Sequence, residues 1–216
     1  MKAICLLLIA LLAPLGLAAR TASDFFASAP DQVVRLLPQS TRLDMLDYFK
    51  FGSTRPSSNV FGGEAIMRSV SDGLVGFDVD KGVAMQIAVI PSAAHDTVIA
   101  LVTTLATPSL QSSIEFYDKD WAPLKNTFFR IPAYDDWLSP EGLADRSTVA
   151  LHLPFMPVSY SFDPDVTMLR AHNEAEAFLD KDEYKALAPR LIINKVYDLT
   201  FPKFKLQNVD TAASGN

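Results

Sequence analysis

The chain has 216 residues, a single cysteine and a formal net charge of −6, from 19 Lys and Arg against 25 Asp and Glu. Hydrophobic residues make up 49% and charged residues 20%, which is a globular composition and excludes an intrinsically disordered chain. The acidic balance argues against a nucleic-acid partner, and Gly and Pro follow no fixed period, which excludes a collagen-like or low-complexity chain.

The N-terminal segment has the layout of a secretory signal peptide. Lys2 provides a positive charge, an apolar stretch extends from Ala3 to about Leu15, and small residues follow it. We expect cleavage after Ala18 or Ala19, so that residues 1–19 are removed. The apolar stretch is shorter than the roughly 20 residues that span a membrane, and no later segment reaches that length. The mature chain is therefore predicted to have no integral membrane span.

The position of Cys5 bears on an alternative to the cleaved signal peptide, which is a lipid anchor. A lipidated cysteine follows the apolar stretch, whereas Cys5 precedes most of it, so we expect no lipoprotein. The mature chain then lacks a cysteine for a disulfide, a thiolate zinc site or a nucleophile. A cysteine-free exported domain of this size is typical of a bacterial envelope, and we predict a periplasmic or cell-surface location.

Two helices are predicted at the start of the mature chain. The first is short, can be capped by Ser23 and Asp24, and ends at Pro30. The second spans residues 41–50 and ends near Gly52. Apolar residues of the second helix recur at a spacing of three, and their face is predicted to pack against a sheet. These residues are Leu43, Leu46 and Phe49.

From Glu64 onward, alternating apolar and polar residues predict short strands joined by polar turns. No helical segment separates these strands, which favours an antiparallel sheet. One strand should place Ile114 and Phe116 on the core side and Tyr117 on the wetter side. Asp118 to Asp120 form the predicted turn, after which Trp121 begins the returning strand.

The second half predicts a helix at 182–187, a last strand from Lys195 to Phe201 and a disordered tail at 207–216. Residues 149–182 repeat the order of features at 83–120, which indicates either a duplicated strand-pair unit or a chance similarity. We therefore predict one α+β domain at residues 20–206, with N-terminal helices packed on a mostly antiparallel sheet and two diverged strand-pair units as an option.

The searched catalytic motifs are absent, and neither a cofactor nor a metal is predicted. His95, His152 and His172 have no cysteine ligands near them. Four Asp-x-Asp pairs could bind calcium in turns, but none continues as an EF-hand, and aspartate is common in turns because its side chain bonds the backbone.

Three aromatic residues are the candidate binding residues. Tyr117 and Trp121 could form an exposed stacking platform for a sugar, or Trp121 could instead pack into the core. Trp137 follows Asp135 and Asp136 and could stack on a sugar, or the two acids could instead form the solvated start of a helix. Neighbouring acids point to different faces, so these two are not expected to act as the catalytic pair of a glycosidase.

Two stretches, Arg42 to Tyr48 and Phe116 to Leu124, resemble a family of exported proteins of Bacteroidales, the domain of unknown function 3256. Thr103 and Thr104 end a strand between them. The resemblance implies a Gram-negative envelope location and contributes no catalytic residue. The chain departs from the family pattern at Thr41, where the family has Asn.

These observations predict an exported protein that is a non-enzymatic binding or assembly module for a protein or glycan partner. The alternative is a hydrolase acting on glycan or peptide. An exposed aromatic cluster without converging acids would favour binding. A deep pocket with two carboxylates, or with a histidine and an acid, would favour hydrolysis.

Overall fold

The computed structural model describes residues 19–53, 55–92, 96–200 and 203–211. Within these ranges the chain forms helices and two antiparallel sheets, which confirms the predicted α+β class. None of the described helices is long and apolar enough to cross a membrane. The signal-peptide prediction falls almost entirely on residues 1–18, which lie outside the described residues, as do His95 and residues 212–216.

The first sheet is a meander of six antiparallel strands in which each strand pairs with its neighbour along the chain. The pairing of the fourth and fifth strands is the longest and extends from Val83 opposite Leu105 to Ser92 opposite Asp96. The strands are β1 (Ser57–Ser58), β2 (Glu64–Val70), β3 (Leu74–Asp80), β4 (Val83–Ser92), β5 (Asp96–Leu105) and β6 (Gln111–Asp118).

The second sheet has four antiparallel strands that also follow chain order: β7 (Val158–Phe162), β8 (Met168–Asn173), β9 (Ile192–Asp198) and β10 (Lys205–Thr211). The strand predicted from Lys195 corresponds to β9, but it is not the last. Residues 207–211, which the composition assigned to a disordered tail, belong to β10. Pairing with β9 orders this polar segment, although its side chains are mostly exposed.

Both faces of the six-stranded sheet are buried. On β5, Val98, Ala100 and Val102 face the four-stranded sheet and belong to what we call the inter-sheet core. Ile99 and Leu101 face the N-terminal helices and belong to the helix-side core. The molecule therefore has three layers, with the six-stranded sheet in the middle.

The predicted alternation in β6 is confirmed for its core face. Ile114 and Phe116 are buried in the inter-sheet core. Tyr117 lies on the opposite face as predicted, but that face is covered by the helices, so only 8% of Tyr117 is exposed. The sequence indicated which face each residue occupies but not that both faces are covered.

Helix α1 (Ala22–Ser28) begins with a capping box at Thr21, two residues earlier than predicted. The Thr21 hydroxyl accepts a hydrogen bond from the backbone N–H of Asp24, and the Asp24 carboxylate accepts one from the backbone N–H of Thr21. This backbone hydrogen bond, which stabilises the ionised carboxylate, lowers the pKa of Asp24.

Helix α2 (Gln39–Lys50) ends before Gly52, whose positive φ of 67° fits the predicted stop. The predicted buried face of this helix was wrong: Leu43 is 47% and Phe49 37% exposed, and Leu46 is half-buried. Arg42 and Met45 are buried instead. The Arg42 guanidinium donates hydrogen bonds to buried carbonyl groups. These bonds orient the side of α2 that bears Arg42 toward the core.

Four short helices pack around a third, smaller hydrophobic cluster: α3 (Pro140–Ala144), α4 (Arg146–His152), α5 (Ala175–Phe178) and α6 (Lys181–Leu187). Helix α6 confirms the predicted helix at 182–187. The proposed correspondence between residues 149–157 and 83–91 is not seen, because the former begin inside α4 and the latter lie in β4. An apolar run ending in proline does not distinguish a helix from a strand.

Candidate functional site

The three predicted aromatic residues lie in two different regions. Tyr117 and Trp121 contact each other in the helix-side core, with ring centroids 5.4 Å apart. Trp137 belongs to the inter-sheet core, on the other face of the six-stranded sheet. All three side chains are buried, so they do not form one exposed surface.

Trp121 does not begin a regular strand. The Asp118 carboxylate accepts hydrogen bonds from the backbone N–H groups of Asp120 and Ala122, which tightens the predicted turn. Trp121 then has a φ of 64°, and only an isolated bridge between Tyr117 and Pro123 follows. The turn directs the indole ring into the helix-side core rather than outward.

Two cavities lie beside the segment of residues 128–137. This segment is held at several points. The Asn126 side chain donates to the carbonyl of Phe129 and accepts from its N–H, and the Phe204 N–H donates to the carbonyl of Phe128. A 3-10 turn at Tyr134–Trp137 completes the segment. These hydrogen bonds hold a segment that contributes to the walls of both cavities.

The larger cavity, which we call the apolar cleft, has a volume of about 370 Å³. Ile131 and Phe155 line it and are 53% and 41% exposed. Two of its polar groups have partners, since the Tyr134 hydroxyl donates to the Leu153 carbonyl and Ser112 Oγ accepts from the N–H of Tyr160. The Gln111 side chain and the Tyr160 hydroxyl also line the cleft and make no hydrogen bond to another described residue. The remaining lining includes Pro132, Trp137, Pro154, Met156 and Val158.

The smaller cavity, which we call the lysine cavity, has a volume of about 180 Å³. Lys195 and Tyr197 line it from β9, where alternation places both side chains on the same, buried face. Lys195 is only 6% exposed. The other lining residues are Phe129, Arg130, Pro132, Asp136, Phe204 and Leu206.

The charges around the lysine cavity are unevenly paired. The Asp136 carboxylate accepts from Arg130 Nη2 at 2.9 Å and from the backbone N–H of Ala133 at 2.7 Å. The Lys195 ammonium makes no hydrogen bond or ion pair with any residue in the described part of the chain. One positive charge therefore remains without a counter-charge in direct contact, in a chain whose net charge is −6.

Burial shifts the pKa values in this cavity. Removal from water lowers the pKa of Lys195, and the nearby Asp136 carboxylate partly opposes that shift. Burial raises the pKa of the Tyr197 hydroxyl to about 12. At neutral pH Tyr197 is therefore a neutral hydroxyl that can donate a hydrogen bond.

Trp137 connects the two cavities. It lines the apolar cleft, and Lys195 Nζ lies 5.6 Å from the centroid of its ring, within the range of a cation–π contact. Pro132 lines both cavities. A ligand in the cleft would thus lie close to the charge in the lysine cavity.

One predicted histidine lies beside acids. His152 lies 3.4 Å from Glu183, and together with Asp182 they line an open surface cavity of about 440 Å³, where His152 and Glu183 are both more than 40% exposed. His172 bonds Asn194. Asp163 accepts backbone hydrogen bonds within a turn, and Asp180 caps the N-terminus of α6. Across residues 19–53, 55–92, 96–200 and 203–211, no group of three or more His, Cys, Asp and Glu could hold a metal ion.

Sequence reasoning missed Lys195 as a candidate. The signal was present in the alternation of Ile193, Lys195 and Tyr197, which puts a lysine in an apolar row of the strand. A charge in a buried row is costly and needs an explanation. The neighbouring aromatic residues gave no such signal, because Trp and Tyr are also common in cores.

Comparison with known proteins identifies the family but no activity. The family "Protein of unknown function (DUF3256)" matches residues 14–204, and the chain belongs to it. A solved domain of an uncharacterized protein from Porphyromonas gingivalis W83 has the same fold, with a TM-score of 0.72 and 21% identity over 88% of this chain and 100% of that one. No curated protein matches the chain.

Proposed function

We propose that this member of the DUF3256 family is an exported, non-enzymatic binding module of the cell envelope that binds an apolar segment of a protein partner in the apolar cleft. The observation on which the proposal depends is the composition of that cleft. Ile131 and Phe155 expose apolar surface at a cavity of about 370 Å³ whose lining is mostly apolar and has no charged side chain. Covering this exposed apolar surface with the apolar side chains of a partner would favour binding, because both surfaces would be removed from water.

A protein segment fits this cleft better than a glycan does. Sugars need an exposed aromatic face together with several polar groups that have no other partner. In the cleft, Trp137 is 1% and Tyr160 6% exposed, and the Tyr134 hydroxyl already donates to Leu153. Leucine- or phenylalanine-like side chains need only apolar contact, which the cleft provides.

The hydrolase alternative has less support. Hydrolysis of a glycan by paired acids needs two carboxylates about 5–9.5 Å apart across a cleft. The residues that line the two cavities include one carboxylate, Asp136, and Arg130 and Ala133 already bond it. His152 and Glu183 form the histidine–acid pair of the described residues; they line an open cavity of about 440 Å³, and both side chains are more than 40% exposed.

Export is supported by the sequence pattern of residues 1–19 and is tested separately. N-terminal sequencing of the protein from the native envelope should begin at Ala19 or Arg20. A chain that retains Met1, or one with lipid on Cys5, would contradict the proposed location. That result would leave the proposal for the cleft unchanged.

Binding in the cleft is tested by methyl NMR of the purified protein. Acetyl-Leu-Leu-amide should shift the methyl signals of Ile131 and Met156, whereas neutral and uronic-acid tetrasaccharides should not. Phe155→Ser should weaken peptide binding several-fold. The matched control is Leu151→Ser, at a site that is 79% exposed and outside the cleft. Shifts with a sugar alone would indicate a glycan partner, and no shift with either ligand would refute the cleft as a binding site.

A further inference from the structure

We propose that the lysine cavity is a carboxylate-binding site, in which Lys195, Arg130 and the Tyr197 hydroxyl bind the anionic group of a ligand. The ligand class is a monoanion attached to an apolar or aromatic body. The inference concerns a cavity that the proposed function does not use, and it stands if the apolar cleft binds nothing.

The first observation is that the Lys195 ammonium has no ion-pair partner although its side chain lines a cavity. Only 6% of Lys195 is exposed. Its ammonium nevertheless has neither a hydrogen bond nor an ion pair within the part of the chain that the structure describes. Burying most of a lysine side chain without an ion pair for its ammonium is costly. The contact with Trp137 offsets part of that cost, and a bound anion would offset more.

The second observation is that donors remain for an anion. A guanidinium has five N–H groups, and Arg130 uses one on each of its two terminal nitrogens for Asp136, at 2.9 and 3.4 Å. The Tyr197 hydroxyl makes no hydrogen bond to another described residue and stays protonated at neutral pH. Three donor groups therefore line one small cavity, and all three prefer an anion.

The charge and size of the cavity select a monoanion. Arg130, Asp136 and Lys195 sum to one net positive charge, which matches a carboxylate better than a phosphate dianion. The remaining walls are apolar, with Phe129, Phe204, Pro132 and Leu206, and the cavity holds about 180 Å³. A carboxylate attached to a short apolar group fits this combination.

Two sources could supply such a carboxylate: a small organic acid or the free C-terminus of a polypeptide. Only the second would also extend into the apolar cleft, which shares Pro132 with the lysine cavity. The experiment therefore compares ligands that share the charge and differ in length.

The first arm is calorimetry of the purified protein with 3-phenylpropionate, against the neutral 3-phenylpropionamide as a matched ligand. The acid should bind at pH 7, and the amide should bind at least about tenfold more weakly, because a hydrogen bond to a charged group accounts for that much. Lys195→Met should reduce acid binding by a similar factor. Lys81→Met, at an exposed position in the β3–β4 turn, should leave it unchanged.

The second arm uses acetyl-Leu-Leu-Phe with a free C-terminus and its C-terminal amide. Tighter binding of the free acid than of 3-phenylpropionate, lost in Lys195→Met, would assign the site to a peptide C-terminus. Equal affinity would assign it to small organic acids.

Two results would overturn the proposal. One is that neither acid binds. The other is that Lys195→Met binds both acids as well as the wild type, in which case Lys195 is a packing residue of Trp137. 3-Phenylpropionate reports on the lysine cavity alone, and acetyl-Leu-Leu-amide reports on the apolar cleft. If only the cleft proposal is wrong, 3-phenylpropionate will bind and acetyl-Leu-Leu-amide will not. Urea unfolding of Lys195→Met establishes that the variant is folded.

Discussion

The helix-side core and the inter-sheet core each contain a buried cation and a buried tryptophan, but they treat the cation differently. Arg42, 1% exposed, donates to the carbonyls of Leu37 and Ala29 and contacts Asp31 at 3.1 Å. Lys195, 6% exposed, has no such acceptors among the described residues and lines a cavity. Burial alone does not distinguish the two. Arg42 has acceptors for both terminal nitrogens, although its buried Nε has no partner. A buried cation held by such acceptors stabilises a fold, whereas one beside a cavity without acceptors is a candidate for binding.

The largest expected effect concerns the aromatic residue of the helix-side core. Trp121→Ala should lower the free energy of unfolding by about 3–5 kcal/mol, because the indole ring is 93% buried against Tyr117 and its neighbours. Urea unfolding measures the change. In a Trp137→Phe background, Trp121 should emit in the blue and resist acrylamide. A quenchable Trp121 whose removal leaves stability unchanged would restore the sugar-stacking hypothesis for this residue.

The next effect tests whether Arg42 is a structural cation. Arg42→Met should cost about 2–4 kcal/mol, because the buried carbonyls of Leu37 and Ala29 lose their donor. Arg68→Met is the matched control, since Arg68 pairs with Asp78 at the surface and is 58% exposed. It should cost about 1 kcal/mol or less. If both variants cost the same, the contrast between the two cores is wrong.

Lys195→Met should raise the free energy of unfolding, whereas Arg42→Met should lower it. An apolar side chain of similar length removes an unpaired buried charge, so we expect a gain of about 1–2 kcal/mol in the free energy of unfolding. The same urea titration measures it, with Lys81→Met as the exposed control. A loss of stability comparable to that of Arg42→Met would mean that Lys195 is held by acceptors as Arg42 is.

The smallest effect is the pH dependence of that gain. The pKa of Lys195 in the folded protein lies below its usual 10.5, so the unfolded chain binds more protons between the two values. Wild-type stability should therefore rise relative to Lys195→Met as the pH increases toward 10.5, and the advantage of the variant should shrink. Urea titrations at pH 7, 8, 9 and 10 measure this difference. A constant difference would show that the ammonium is not destabilised by burial.

Tyrosines act in a separate pH range and do not confuse this comparison. Burial raises the pKa values of Tyr160 and Tyr197 to about 12, above their usual 10. Stability from these hydroxyls is present below about pH 10 and is lost as the pH rises through 12. Both the wild type and the variant contain these tyrosines, so their contribution cancels in the difference.

Much of the fold could be predicted from the sequence because the strands are marked by local patterns, chiefly the alternation of apolar and polar residues. Alternation located β3 to β6, and aspartates marked the ends of β3 and β6. The face of α2 was wrong because periodicity counts Leu43 and Phe49 as buried, while the acceptors for Arg42 come from the preceding loop. Such long-range satisfaction of a charge is not visible in helical spacing.

The candidate site was less predictable for the same reason. Trp137 was identified as a binding residue from its neighbours Asp135 and Asp136, and it does line the apolar cleft. The lysine cavity joins residues 129–136 to β9 and to Phe204, which are distant in sequence. Only the antiparallel pairing of β9 with β10 brings Leu206 opposite Tyr197.

Strand order has a consequence for how the molecule folds. Within each sheet, every described strand pairs with its neighbour along the chain. The six-stranded sheet can therefore grow hairpin by hairpin, whereas the four-stranded sheet must bring β9 to β8 across the segment that contains α5 and α6. The β4–β5 hairpin has the longest register and is the natural nucleus of the first sheet. The inter-sheet core forms only when β7 reaches β6, since that contact spans tens of residues. We therefore expect the first sheet to assemble early and the two cavities, which need both sheets, to form last.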